Sequence, residues 1–319
     1  MAAVNIPLHE RHKCEQNIIT AQSLRERVIV SQECIDAVVA TRAEVHDILH
    51  HKSSRLLVLI GPHTLCDASI PASYFKCIAD LQTRYCESLL LITMFSSIRA
   101  VYAEFTNSTQ SPYDAHVLCS REILREGLHC GVAVGVDSYD PRMPNFVSDL
   151  LSFATIAEAH QGGVGNMSSM SHMPHAVGVA TQGYGLGKNH QYIFQNACRG
   201  QRYPCISDTG SYVSRETAGN QDLCALIQGS QYASNYDASY VREVVGVLKR
   251  LQQPQRVMID CAQVECTLAR QEQVLKDVLM QRAHNPNIVG VSLHTGFASP
   301  MSPYEEVLAG VKQLLSHVH

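Results

Sequence analysis

Two histidines close apolar runs in this 319-residue chain. His63 follows LLVLIGP (56–62) and His294 follows IVGVSL (288–293). Imidazole titrates near neutral pH without any perturbation, so a facing pair can serve as general acid and base. Asp260 ends a third run, RVMID (256–260), and could orient one of the rings or exchange a proton itself. Gln228, Gln263, Thr181 and Gln182 also lie at or just past run ends, where they offer neutral hydrogen bonds to a carbonyl or hydroxyl. Arg99, in FSSIRAV, and Lys188, at the end of the glycine-rich GYGLGK (183–188), are the cations placed to receive one carboxylate. Met170 lies in GGVGNMSSMSHM (162–173), which lacks the spacing of a phosphate-cradling loop. Its methionines suit a flexible, partly apolar lid over a ligand.

Elements must hold these residues in place. Eight strand-like runs recur at 56–60, 89–95, 131–136, 153–159, 175–180, 223–229, 256–260 and 288–293. Between and after them lie segments of helical period: Ile70–Tyr85, Asp114–Gly127, Met143–Ser152, Asn189–Arg199, Ala238–Leu251, Leu268–Arg282 and Pro303–His317. Short continuous apolar strands alternating with helices predict a parallel sheet covered on both faces. Eight such units predict a closed (β/α)8 barrel, whose chemistry sits at the C-terminal strand ends. Residues 1–54 read as an arm with one helix over Gln32–Leu49, and 55–319 as the barrel. A β-hairpin is inserted at about 203–219, turning at Asp208-Thr209-Gly210.

Bulk properties narrow the function. A net charge of −4 argues against a nucleic-acid binder. No apolar stretch approaches the ~20 residues that span a bilayer, and the N-terminal residues lack the apolar core of a secretory signal. The sequence thus reads as a cytoplasmic protein with no membrane partner. Twelve scattered cysteines without a CxxC pair read as reduced thiols that fill a core.

Several stretches, in order, resemble the type I 3-deoxy-7-phosphoheptulonate (DAHP) synthases. They are Gly61-Pro62 with Asp67; Thr217, Gly219, Asn220 and Asp222; VMID (257–260); and NIVGV (287–291). The likeness spans about residues 20–315. It implies a barrel, a dimer or tetramer, and an ancestor that condensed phosphoenolpyruvate with erythrose 4-phosphate on a divalent metal. The positions that would do this differ here. His63 stands where the family has a metal-binding cysteine, Gln263 where it has a histidine and His294 where it has a glutamate; the last aspartate ligand has no counterpart. FSSIRAV replaces a Lys-Pro-Arg triplet, Val136 or Asp137 a glutamate, Ala159 an arginine, Ala180 a lysine and Gln228 an arginine.

Phosphorylated substrates need several converging guanidinium and ammonium groups. Their loss predicts that the family reaction is lost and that the substrate is an unphosphorylated small molecule with at most one anionic group. No cofactor is expected. If a metal were held, His63 and His294 would hold it, with a third ligand from Cys66, Cys261, Asp260 or Asp67. The reading is a repurposed enzyme of specialised metabolism, catalysing acid/base-assisted cyclisation, isomerisation, dehydration or carbon–carbon bond chemistry. Two alternatives stay open: a catalytically inactive relative that regulates an active synthase, and residual DAHP synthase activity.

Overall fold

Branched and apolar residues buried on both faces form β1 (Leu56–Thr64), β2 (Leu89–Ser96), β3 (Val134–Ser138), β4 (Phe153–Ile156) and β5 (Ala176–Gln182). An antiparallel hairpin follows, β6 (Gln201–Ile206) with β7 (Tyr212–Thr217). The parallel series then resumes with β8 (Leu223–Gln228), β9 (Val257–Asp260) and β10 (Ile288–Leu293). The computed structural model describes residues 17–64, 70, 72–96, 112–138, 143–156, 169–182, 185–230, 233–263, 266–295 and 304–318. The eight parallel strands close in the order β1-β2-β3-β4-β5-β8-β9-β10, with β10 back against β1. This is the expected (β/α)8 barrel, and the hairpin lies where the sequence placed it.

The helices among the described residues are α1 (Ala21–Arg27), α2 (Gln32–Leu49), α3 (Ala72–Tyr85), α4 (Pro112–His129), α5 (Met143–Val147), α6 (Lys188–Ala197), α7 (Ala238–Arg250), α8 (Leu268–Arg282) and α9 (Tyr304–Leu315). None is long and apolar enough to cross a membrane. The lead carries α1 besides the one helix that its sequence suggests. Thr20 accepts a hydrogen bond from the Ser23 amide and caps α1. The third strand starts at Val134 rather than residue 131, because Gly131 takes a positive φ of 79° in the turn that ends α4.

Period-two alternation sorts the strand residues into two cores. Leu56, Val58, Ile60, Val134, Val136, Val177, Val179, Val257 and Ile259 face the helices. Leu57, Leu59, Leu90, Ile92, Met94, Phe153, Cys224, Leu226 and Met258 fill the barrel interior. Gly135 and Gly290 make room there: a Cβ on either would fall about 2.5 Å from Met94 Sδ or the Leu57 carbonyl oxygen. The interior is therefore packed.

The end where the strands begin is stitched by the Thr217–Asp222 stretch. Gly219 adopts φ +88° against the Cys198 carbonyl, which a Cβ would approach to 2.4 Å. The Asn220 amide bonds the Ala197 carbonyl at 2.9 Å, and its side chain donates to the His175 carbonyl at 3.0 Å. One short motif thus ties the end of α6 to the start of β5.

Candidate active site

At the opposite end, β9 and β10 finish side by side and bring Asp260 to His294. The His294 Nε2 lies 2.9 Å from Asp260 Oδ2. Asp260 is buried and fully engaged: Oδ1 accepts from the Ala262 amide at 2.9 Å, and Oδ2 also accepts from Gln228 Nε2 at 3.3 Å. His294 is held from behind by Gln271 of α8. Its backbone amide donates to Gln271 Oε1, and its carbonyl accepts from Gln271 Nε2, each at 2.8 Å. Gln271 itself is fully buried, so this clamp does not compete with water.

Burial opposes the imidazolium of His294. The adjacent Asp260 carboxylate and the more distant Asp137 outweigh that penalty and raise the His294 pKa above its ordinary 6.5. With Nε2–H given to Asp260, Nδ1 is the ring atom left to exchange a proton. An acid that orients a histidine in this way is the arrangement of a general acid–base catalyst.

A cavity of about 80 Å³ opens on His294, lined among others by Asp137, Thr155, Gln228 and Ser292. Asp137 accepts from the Thr155 hydroxyl. The register resolves the choice between two β3 residues: Val136 packs toward the helices and Asp137 lines the cavity. Asp137 is the site residue the sequence reading named only as an alternative. The signal that finds it is parity, since Gly135 faces inward two residues earlier.

The other candidates are distributed unevenly. The His63 backbone pairs with Phe95, just past Ile60, which pairs with Leu293. Its strand therefore neighbours that of His294, but its side chain lies outside the described residues. The same holds for the Gln182 side chain, although its backbone pairs with Gln228. Arg99, Ala159, Cys66 and Asp67 lie outside them altogether, as does most of the 162–173 stretch. Met170 is fully buried in the outer core, where it fills space rather than presenting a ligand surface. Thr181 is equally buried and bonds the Leu226 carbonyl at 3.5 Å. Lys188 is exposed in the first turn of α6.

The described donors do not fit a divalent metal at this mouth. Gln263 sits in a left-handed turn (φ 44°) with both ends of its amide engaged, donating to the Asp260 carbonyl at 2.6 Å and accepting from the Asn235 amide at 3.0 Å. The Cys261 thiol packs in the outer core, and burial holds its pKa well above the usual value, against the thiolate a metal needs. Among the described residues, no three His, Cys, Asp or Glu ligand atoms at the mouth lie within 4.8 Å of one another.

The fold and this strand-end pair define a (β/α)8 barrel with a carboxylate–imidazole dyad at the C-terminal ends of its strands. The chain is a homologue of the phospho-2-dehydro-3-deoxyheptonate aldolases, the DAHP synthases. It is 23% identical over 324 residues to the Tyr-sensitive aldolase of Escherichia coli, covering 93% of this chain and 87% of that one. It is 22% identical over 303 residues to the tyrosine-inhibited aldolase of Schizosaccharomyces pombe, covering 87% and 78%. A solved phospho-2-dehydro-3-deoxyheptonate aldolase from Francisella tularensis shares the fold with a TM-score of 0.83 at 17% identity, covering 96% of this chain and 98% of that one. No protein-family model matches the chain.

Proposed function

We propose that this DAHP-synthase-like barrel is an acid/base enzyme acting on an unphosphorylated small molecule, with His294 moving the proton and Asp260 orienting and charging it. One observation carries this reading. The described cavity at the strand ends is lined by carboxylate, imidazole, hydroxyl and amide groups, with no lysine or arginine among them. A phosphate placed ~5 Å from either carboxylate would meet about 3 kcal/mol of repulsion per charge pair, at an effective dielectric of ~20. A neutral carbonyl instead finds a proton donor in His294 and hydrogen bonds from Gln228 and Ser292. Protonating a carbonyl, or removing the proton beside it, is the step shared by cyclisation, isomerisation, dehydration and aldol-type chemistry. A single substrate carboxylate would be received by Lys188, exposed in the first turn of α6.

A second reading, residual synthase activity, is favoured by the activity for which the homologues are named. The deciding experiment incubates the chain with phosphoenolpyruvate and erythrose 4-phosphate across a panel of divalent metals and follows phosphate release. The expected result is none. Release that depends on both substrates and the metal would replace the proposal with the synthase reading. A parallel screen of neutral and monocarboxylate carbonyl compounds by thermal shift is expected to give hits whose turnover falls at least a hundredfold in His294→Ala. Turnover unchanged in that variant would remove the acid/base role. Binding to an active synthase, with no turnover of any compound, would support the regulatory alternative instead.

A further inference from the structure

Two imidazoles and a carboxylate converge on the other end of the barrel, where the strands begin. His46 and His50 stand one turn apart on α2 and so project from the same helix face. Their rings stack with centroids 3.9 Å apart. Asp222, the residue before β8, meets both: Oδ1 is 3.0 Å from His46 Nδ1 and 2.9 Å from His50 Nε2, and Oδ2 is 3.2 Å from His46 Nδ1.

The hydrogen bonds of this cluster do not close on themselves. Arg256, which keeps its protons at any relevant pH, places Nη2 3.0 Å from the same His50 Nε2. A ring nitrogen that accepts from Arg256 has no proton to give Asp222. One that donates to Asp222 has no lone pair for Arg256. Either tautomer leaves one close contact unproductive. A cation between the rings and the carboxylate removes the conflict, because each of the three groups then presents a lone pair to it. The ligand atoms all lie within 4.8 Å of one another, as three donors around one ion at ~2.0–2.2 Å must. The side chains are 38%, 28% and 26% exposed, so an ion can enter and water can complete its shell.

We propose that His46, His50 and Asp222 form a site for a zinc-class transition-metal ion that pins α2 to the floor of the barrel. Two imidazoles with one carboxylate favour zinc, cobalt or nickel over magnesium or calcium, which prefer all-oxygen shells. Arg256 then rests on the Gln221 carbonyl, which its Nη1 already contacts at 2.6 Å. Its charge beside the ion holds the affinity down. The ion joins positions 46 and 50 to position 222, so its effect is on stability rather than on chemistry at the mouth.

The test uses the metal-stripped full chain titrated with Zn(II) against a chromophoric chelator, and with Co(II) followed by its visible absorption. One equivalent is expected to bind in the micromolar range, at least tenfold more weakly in His46→Ala and His50→Ala, and unchanged in His294→Ala. Arg256→Gln is expected to bind several-fold more tightly. Added Zn(II) should raise the wild-type Tm and leave that of His46→Gln, a conservative variant of a partly exposed residue, unmoved. Equal binding by wild type and both histidine variants would overturn the proposal. An equivalent lost only in His294→Ala would place the metal at the mouth and overturn it as well.

Discussion

His294 is gripped on the ring by Asp260 and on the backbone by Gln271, so the two contacts can be separated by mutation. Asp260→Asn removes the nearer charge and leaves only the more distant Asp137 against burial, so the His294 pKa should fall; side-chain NMR titration measures it directly. The raised pKa is also a stability statement. Its contribution is complete below pH 6.5 and disappears as the pH rises through the folded-state value, so the stability gap between wild type and Asp260→Asn should shrink over that window in urea unfolding. An unchanged gap from pH 6 to pH 9 would refute the coupling. His175 behaves in the opposite sense. It is buried beside the start of β5, its Nε2 has no partner among the described residues, and burial, assisted by Arg42 and His172, pulls its pKa down to about 4 despite a hydrogen bond to the Ala176 carbonyl. The unfolded chain therefore takes up this proton first. Stability should fall by up to about 3 kcal/mol between pH 6.5 and 4, and His175→Leu should flatten that slope. Among these residues His294 and Asp260 were legible in the sequence, because each ends an apolar run and a barrel places run ends at its mouth. Met170 and Thr181 were not. A side chain's burial depends on what packs over it, and that is set by elements far away in the chain.

Elements were more legible than their joints. The bounds of α2 and α8 and the span of β10 follow directly from caps and apolar periodicity: Ser31 and Thr267 cap the two helices, as their types suggest. The end of α5 was not legible from local sequence. The segment reads as helical to Ser152, yet the helix stops at Val147. Arg42 of α2 takes the Ser148, Asp149 and Leu151 carbonyls, and Arg121 takes that of Phe146 while pairing with Asp149. Distant guanidiniums thus satisfy the carbonyls that another helical turn would have used. The Thr217–Asp222 stretch, prominent in the family resemblance, is a joint of the same kind, and Gly219 is its pivot. Gly219→Ala must either give up φ +88° or push a methyl group into the Cys198 carbonyl. It should cost at least about 2 kcal/mol in urea unfolding and leave the mouth unaltered. A neutral substitution would show that this joint yields freely.

At the scale of the whole molecule, the two ends of the barrel are built from different chemistry. The floor is tied by the glycine, asparagine and aspartate of the Thr217–Asp222 stretch, and the described part of the mouth pairs acid, imidazole and amide. Such a division requires that the barrel close identically whatever its mouth holds, and closure depends on the seam between β1 and β10. Leu57 to Ile60 pair with Gly290 to Leu293 across it, and α9 packs against α3 and α8 on its outer side. Val307, Val311, Leu314 and Leu315 are buried under that helix. Burying four such side chains contributes about 8 kcal/mol, comparable to the ~5–15 kcal/mol by which a typical domain is stable. Truncation after residue 303 should therefore abolish near-ultraviolet circular dichroism and expose dye-binding apolar surface, whereas Leu314→Ala, which removes part of one contact, should cost about 2–5 kcal/mol and leave a folded barrel. If the truncated chain kept the wild-type unfolding midpoint, the strand pairing alone would be closing the seam, and α9 would have to be reassigned from a closing element to a passive cover.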